Sequence, residues 1–264
     1  MNPISEKTRD SILASLDGRD PRLFPYLPEL LQDLWEMGTD AEVVLDLIRR
    51  HVPDPGRPLR ILDLGCGKGA VSLRLAGALD ADVHGVDAMA AFVDAARAAA
   101  DERGLAGRCR FSSADVRSLP PQAPSPDVVI LGAIGPVFGD MRDTVARVGE
   151  MSGGARPFLI VDDAYLPDRF PLTDTVYLGE TAFREQLAVA GVTVLAEVPA
   201  DPVALTSENR RILAAIRRRA VELTARHPEH AGLFEDYVRT QAYETERLAD
   251  RVVCVTLLLR PEAR

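Results

Sequence analysis

"ILDLGCGKGA", residues 61–70, closes an apolar run and then places glycine at positions 65, 67 and 69. Glycine loses more conformational freedom on folding than any other residue, so this clustering needs a physical reason. Glycines let a backbone turn tightly and let another molecule lie against it. The run "LRILDL" (59–64) reads as a strand, and "AVSLRLAGAL" (70–79) as a helix with Val71, Leu75 and Ala78 on one face. In an open α/β sheet, ligands bind at the turn that leaves such a strand, against the free N–H groups opening the next helix. Gly65-x-Gly67-x-x-Ala70 also satisfies the dinucleotide pattern. A tight turn with no ligand is the third possibility.

Working outward, the alternation continues. "ADVHGVD" is a strand ending in an acid, and "AAFVDAARAAADERG" is a helix with Gly104 as its left-handed stop. "RCRFSSAD", "PDVVILG" and "RPFLIVDD" are further strands. "DMRDTVARVGEM" is a helix capped by Asp140, "ETAFREQLAVAG" another helix and "VTVLAEV" another strand. Strands alternating with helices predict a doubly wound, mostly parallel sheet covered on both faces. Before it, residues 1–56 read as helical, with "LPELLQDLW" as one short helix. Residues 39–50 read as another, opened by a capping box of Thr39 and Glu42. After it, residues 206–249 read as a helical hairpin broken by "HPEH" (227–230). "RVVCVTLLL" is apolar on both faces and returns to the sheet as its last strand. The expected organisation is an N-terminal helical cap (1–56), a cofactor-binding core (57–205), a helical lid (206–249) and a last core strand (250–264).

The acids narrow the choice of ligand. Asp87 ends the second strand, where a carboxylate can accept from both hydroxyls of a ribose. Asp115 ends the third, where it can accept from the exocyclic amine of an adenine. Asp63 stands just before Gly65 and would repel a diphosphate, whereas it suits an ammonium or a sulfonium. A cationic adenosine ligand fits this spacing better than an anionic dinucleotide.

"ILDLGCGKGAVSLRLA", "VHGVDAM", "CRFSSADVRSLP" and "PDVVILGAIGPV" together resemble the motifs of the class I S-adenosylmethionine-dependent methyltransferases, over roughly residues 59–165. The resemblance implies a Rossmann-like, seven-stranded sheet whose last strand inserts antiparallel. It implies that S-adenosylmethionine is the cofactor and S-adenosylhomocysteine its product. Cofactor contacts are then expected from Asp63, Gly65, Cys66, Gly67, Asp87, Ala88, Asp115, Val116 and Leu131. Asp63, Gly65 and Gly67 would face the methionyl end, Asp87 the ribose and Asp115 the adenine. The chain departs from the pattern twice. It has "MSGGARPF" where a Pro-Gly-Gly turn is frequent. It has "LGAIGPV" in place of the Asn-Pro-Pro-aromatic pattern of many enzymes that methylate amino groups of nucleobases or glutamine.

A net charge of −9 disfavours nucleic acid as a partner. Three cysteines without a CxxC or a Cys/His cluster fit a reducing, cytoplasmic setting and no metal. No apolar leader or run long enough to span a bilayer is present, so no membrane is expected. Oligomeric state is open.

Methyl transfer from a sulfonium is an in-line displacement that needs positioning more than a dedicated base. Acceptor-side candidates follow the fifth strand: Asp163 and Tyr165, with Asp162 beside them, are expected to face the crevice. Asp163 would orient or deprotonate the acceptor and Tyr165 line its pocket. His227 and His230 read as a polar interhelix turn, and His51 and His84 as structural or surface groups. The arginines of "NRRILAAIRRR" read as a solvated helix face. Trp35, Tyr26, Phe234 and Tyr237 are candidate lining residues, with plain core as the alternative. The expected function is methyl transfer to a small molecule. A nicotinamide-dependent oxidoreductase, or a non-catalytic cofactor-binding module acting through a partner, is the alternative.

Overall fold

A computed structural model describes residues 4–171 and 177–262. In chain order the helices are α1 (Glu6–Ser15), α2 (Leu27–Leu30), α3 (Ala41–His51), α4 (Ala70–Ala78), α5 (Ala90–Glu102), α6 (Met141–Met151), α7 (Glu180–Val189), α8 (Pro202–Arg226) and α9 (Ala231–Asp250). The strands are β1 (Leu59–Leu64), β2 (Ala81–Asp87), β3 (Cys109–Ser113), β4 (Val128–Leu131), β5 (Phe158–Leu166), β6 (Leu178–Gly179), β7 (Val192–Pro199) and β8 (Val253–Pro261). The chain forms two units: residues 1–35 with 200–253, and residues 36–199 with 254–264. No helix among the described residues is long and apolar enough to cross a membrane.

The larger unit is the α/β sheet, in the order β3-β2-β1-β4-β5-β8-β7, with the two-residue β6 alongside β5. The expected count was seven; the eighth, β6, is too short to carry an apolar signature. Strands β1 to β5 pair in parallel, and β8 lies between β5 and β7, antiparallel to β7. All four residues of β4, "VVIL", are buried, as a central parallel strand requires. The strand order reverses at β1: β2 and β3 lie to one side, β4 and β5 to the other. That reversal is the topological switch point, and the glycine turn of residues 65–69 leaves the sheet there.

The opposite end of the sheet is closed by one carboxylate. Arg57 donates to Asp127 through Nη1 and Nη2 at 2.7 and 2.8 Å, and the Arg60 amide donates to it at 2.9 Å. Burial alone would raise the Asp127 pKa, but this fork and the amide outweigh it, so the pKa is lowered. The Asp127 backbone also bonds Arg60 and Phe158, so β1, β4 and β5 start in register.

The smaller unit is helical. Helices α8 and α9 form the expected hairpin, with α8 beginning four residues earlier than expected, at Pro202, where Asp201 caps it. "LPELLQDLW" is only a single helical turn, α2, because Pro21–Tyr26 ahead of it is a 3-10 turn and the chain leaves the helix after Leu30. Phe234 is fully buried and Tyr237 nearly so, with Tyr26 edge-on to Phe234 at 5.0 Å. These side chains are the core of this unit. Arg218 and Arg219 both grip Asp33, so two arginines of the run are structural. The expected cap of residues 1–56 is divided, because α3 belongs to the sheet unit.

Replacing Asp127 with alanine is expected to lower unfolding free energy by about 1–2 kcal/mol, from the loss of a charge-assisted fork. It should leave ligand binding at the other end of the sheet unchanged. Urea denaturation followed by calorimetric titration measures both.

Candidate active site

Three positive φ angles, +73° at Gly65, +52° at Gly67 and +84° at Gly69, bend the chain from β1 into α4. The turn is stitched to the end of β2. Both the Gly65 and Cys66 N–H groups donate to the Val86 carbonyl, at 2.7 and 3.1 Å. The Gly67 N–H donates to Asp87 Oδ2 at 2.9 Å, and the Met89 N–H to Asp87 Oδ1 at 2.8 Å. Each oxygen of Asp87 keeps a further acceptor position. A Cβ on Gly69 would meet the Phe111 ring at 3.0 Å and Ala96 at 3.1 Å, so that glycine is needed for helix-to-sheet contact. A Cβ on Gly65 would run into the branched Ile134 side chain, Cγ2 at 2.1 Å and Cβ at 3.2 Å, and one on Gly67 would meet the far end of Met37. These two form a cradle floor that a ligand can share with movable side chains.

The floor is acidic. Asp63 is 3% exposed, and Ser72 Oγ donates to its Oδ2 at 2.6 Å. Burial pushes its pKa up to about 6; Ser72 opposes this, and Asp87 and Asp162 add to it. Burial also raises Asp87, against the two amides it holds. Burial pushes the Cys66 thiol well above its ordinary range, so it is a neutral wall of the turn. A cation placed among these acids would reverse their shifts.

Beyond the turn, Val116 and Leu131 are buried and Ala88 is half-buried. Asp115 caps the 3-10 turn Val116–Ser118 by accepting the Arg117 N–H at 2.9 Å, and it pairs with the Arg117 guanidinium at 2.7 Å. The sequence reading treats Asp115 as an open acceptor and overlooks this i, i+2 clamp.

At the end of β5 the three candidates part company. Asp162 is largely buried: Thr256 Oγ1 donates to its Oδ1 at 2.6 Å, while Oδ2 is buried without a hydrogen-bond partner. Asp163 is exposed and accepts the amide of Ala164 at 2.8 Å, and the walls around it still raise its pKa. Tyr165 does not face an open crevice. It is 7% exposed, stacks on Phe183 of α7 at 5.2 Å and lies under Arg184, because α7 packs over this end of β5.

Sequence reasoning missed residues 37–39. Met37 Cε lies 2.8 Å from where a Gly67 Cβ would be, Ala133 Cβ 2.7 Å from that of Gly38, and Thr39 Oγ1 2.3 Å from that of Gly132. This strap crosses the glycine turn and the loop after β4. The expected capping box is also displaced by one residue. Asp40, not Thr39, caps α3, accepting the Glu42 and Val43 amides at 2.9 and 3.3 Å. Its carboxylate takes two orphan donors where a hydroxyl would take one.

The remaining candidates stand elsewhere. His227 and His230 ring Tyr26, at 5.3 and 5.7 Å, within the helical unit. His84 of β2 bonds Ser112 and Arg110 of the edge strand β3.

Residues 61–151, from β1 to the end of α6, match the family described as a methyltransferase domain. Over that third of its length the chain is similar to a methyltransferase domain. Over 83 residues the chain is 39% identical to the O-methyltransferase cnsE of Penicillium expansum, a match that spans 30% of each protein. Among solved structures, an S-adenosylmethionine-dependent methyltransferase from Geobacter sulfurreducens, in complex with S-adenosylhomocysteine, superimposes with a TM-score of 0.74. That alignment has 16% identity over 90% of this chain and 98% of that one. The [4+2]-cyclase SpnF superimposes with a TM-score of 0.66 at 18% identity, over 99% and 98%. These likenesses establish the Rossmann-like fold.

The domain's residues fit its cofactor. The cradle floor at Gly65 and Gly67 is free of Cβ atoms, Asp87 retains acceptor capacity, and the acids suit a sulfonium and an ammonium. Binding a cation favours ionised Asp63, so binding should release a proton below about pH 6. Affinity for S-adenosylmethionine is expected to fall about tenfold from pH 7.5 to pH 5, the drop for one group with a free pKa of about 6 that is ionised when bound. Calorimetry in buffers of different ionisation enthalpy measures both effects.

Proposed function

We propose that the protein transfers the methyl group of S-adenosylmethionine to a small-molecule acceptor. The observation that carries this reading is the glycine turn at the switch point, held open by Asp87 above the buried Asp63. Asp63, Gly65, Cys66 and Gly67 would hold the methionyl end, Asp87 with Ala88 the ribose side, and Asp115, Val116 and Leu131 the adenine. When bound, the cofactor supplies an activated methyl on sulfur. The chain's task is then to aim a nucleophile at roughly 3 Å and to keep water out. Asp115 would serve the adenine once Arg117 yields one of its contacts.

On the acceptor side, Asp163 is the proposed orienting acid: it is accessible, and its raised pKa brings it nearer to the range of a useful base. Tyr165 is left to support β5 against α7. The relative from Penicillium is named an O-methyltransferase, which makes hydroxyl compounds the first acceptor class to test. The helical unit is the proposed source of acceptor selectivity, since the sheet unit holds the cofactor residues. The acidic surface, with a net charge of −9, weighs against nucleic acid. The three cysteines, all thiols, fit a cytoplasmic setting.

A second reading has a specific neighbour behind it. SpnF is named a cyclase, so this fold carries more than one chemistry. Incubation with S-adenosylmethionine carrying a tritiated methyl group and a panel of small hydroxyl and amine compounds decides. Label in a product supports methyl transfer. Tight cofactor binding without label in any compound supports the second reading or a non-catalytic module. Uptake of NAD in place of S-adenosylmethionine overturns both.

With a competent acceptor in hand, Asp163→Asn is expected to lower kcat about 100-fold with little change in cofactor Kd. Asp87→Ala is expected to weaken cofactor binding at least about tenfold, through lost hydrogen bonds and a loosened turn. Steady-state kinetics and titration separate the two.

A further inference from the structure

The strap of residues 37–39 and the buried Asp162 belong to one device. Gly132 follows β4, and the space where its Cβ would stand holds the Thr39 hydroxyl at 2.3 Å. No side chain could be accommodated there without expelling Thr39. On the next strand, Asp162 is tied through Oδ1 to Thr256 of β8 at 2.6 Å. Its Oδ2 is buried with no hydrogen bond, a costly arrangement for a carboxylate oxygen. The Thr39 side chain lies within reach of this carboxylate and lowers its pKa, while Asp40 beside it raises that pKa, yet Oδ2 itself has no hydrogen-bond partner. A hydroxyl donor thus lies close to a carboxylate with one oxygen orphaned. The donor sits on a strap whose Met37 covers Gly67 and whose backbone bends at Gly38, φ +113°.

We propose that Asp162 is a positioning residue for the cofactor site: when cofactor binds, Oδ2 takes the Thr39 hydroxyl and fixes the strap across the glycine turn. The inference rests on the reading of that turn as the S-adenosylmethionine site. It explains why Thr39 is left free of helix capping, a role taken by Asp40. It also explains why the residue after β4 is glycine. The acid acts through the strap and needs no contact with the reacting atoms.

Two variants at Thr39 test it. Thr39→Val keeps the shape and removes the donor; Thr39→Ser keeps the donor. The probe is S-adenosylhomocysteine, with affinity read from calorimetry and from fluorescence of the chain's one tryptophan, Trp35, two residues before the strap. Strap closure is read as protection from a glutamate-specific protease at the exposed Glu36. The expected result is a Kd about fivefold to tenfold weaker for Thr39→Val, with protection at Glu36 lost. Thr39→Ser should restore both, and all three proteins should melt alike without ligand. Thr39→Val behaving as the parent, or Thr39→Ser failing as Thr39→Val does, overturns the latch. Combining Thr39→Val with Asp162→Asn adds a control. Once either change has broken the bond, the second should cost little, so fully additive losses count against the latch. If the parent protein itself takes up no S-adenosylhomocysteine, it is the cofactor reading that fails, and the latch with it.

Discussion

The bond from the Gly67 N–H to Asp87 Oδ2 is the constraint on which the site depends. One carboxylate ends β2, holds the Met89 amide at the start of α5, and pins the turn between β1 and α4. It reaches that turn because β1 and β2 run parallel with Leu64 opposite Val86, so the Gly65 and Cys66 amides find the Val86 carbonyl and Gly67 finds the next residue's side chain. Slipping this register by one residue would separate all three contacts. The positive φ angles at Gly65 and Gly67 follow from the same geometry: the backbone must fold back over β2 with no Cβ between it and the space above.

The two ends of the sheet treat their acids in opposite ways. Asp127, at the starts of β1, β4 and β5, is surrounded by donors and its pKa is lowered. Asp63, Asp87 and Asp162, toward the other end, are desolvated and raised, and Asp63 is raised further by the other two. A fold selected for stability alone would not keep three such groups together. Local rules broken at one edge and obeyed at the other mark where the chain has been shaped for a ligand.

Much of this was legible in the sequence, for a physical reason. Glycine spacing, strand-end acids and a switch from one apolar period to another are local signals, and they placed β1 through β5 and the glycine turn at the switch point. What escaped depended on contacts between segments distant in the chain. Thr39 reads as a helix cap until Gly132, far along the sequence, is seen to leave a hole for its hydroxyl. Tyr165 and Asp163 look equivalent on paper, and only the position of Phe183 and α7 sends one inward and leaves the other exposed. The clamp of Arg117 on Asp115 spans only two residues, so it lay within reach of a local reading.

The acidic floor bears on turnover as well as on binding. S-adenosylmethionine carries a sulfonium and an ammonium against one carboxylate, a net charge of +1, whereas S-adenosylhomocysteine is a thioether of net charge zero. Transfer of the methyl would therefore remove a positive charge from the neighbourhood of these desolvated acids, the buried Asp63 above all. The acids lose the partner that favoured their ionised forms, and each pKa unit by which they rise again corresponds to about 1.4 kcal/mol. These side chains would thus contribute less to holding the product than to holding the cofactor. With the cofactor bound, those carboxylates would favour the charged reactant on entry and weaken their hold on the neutral product.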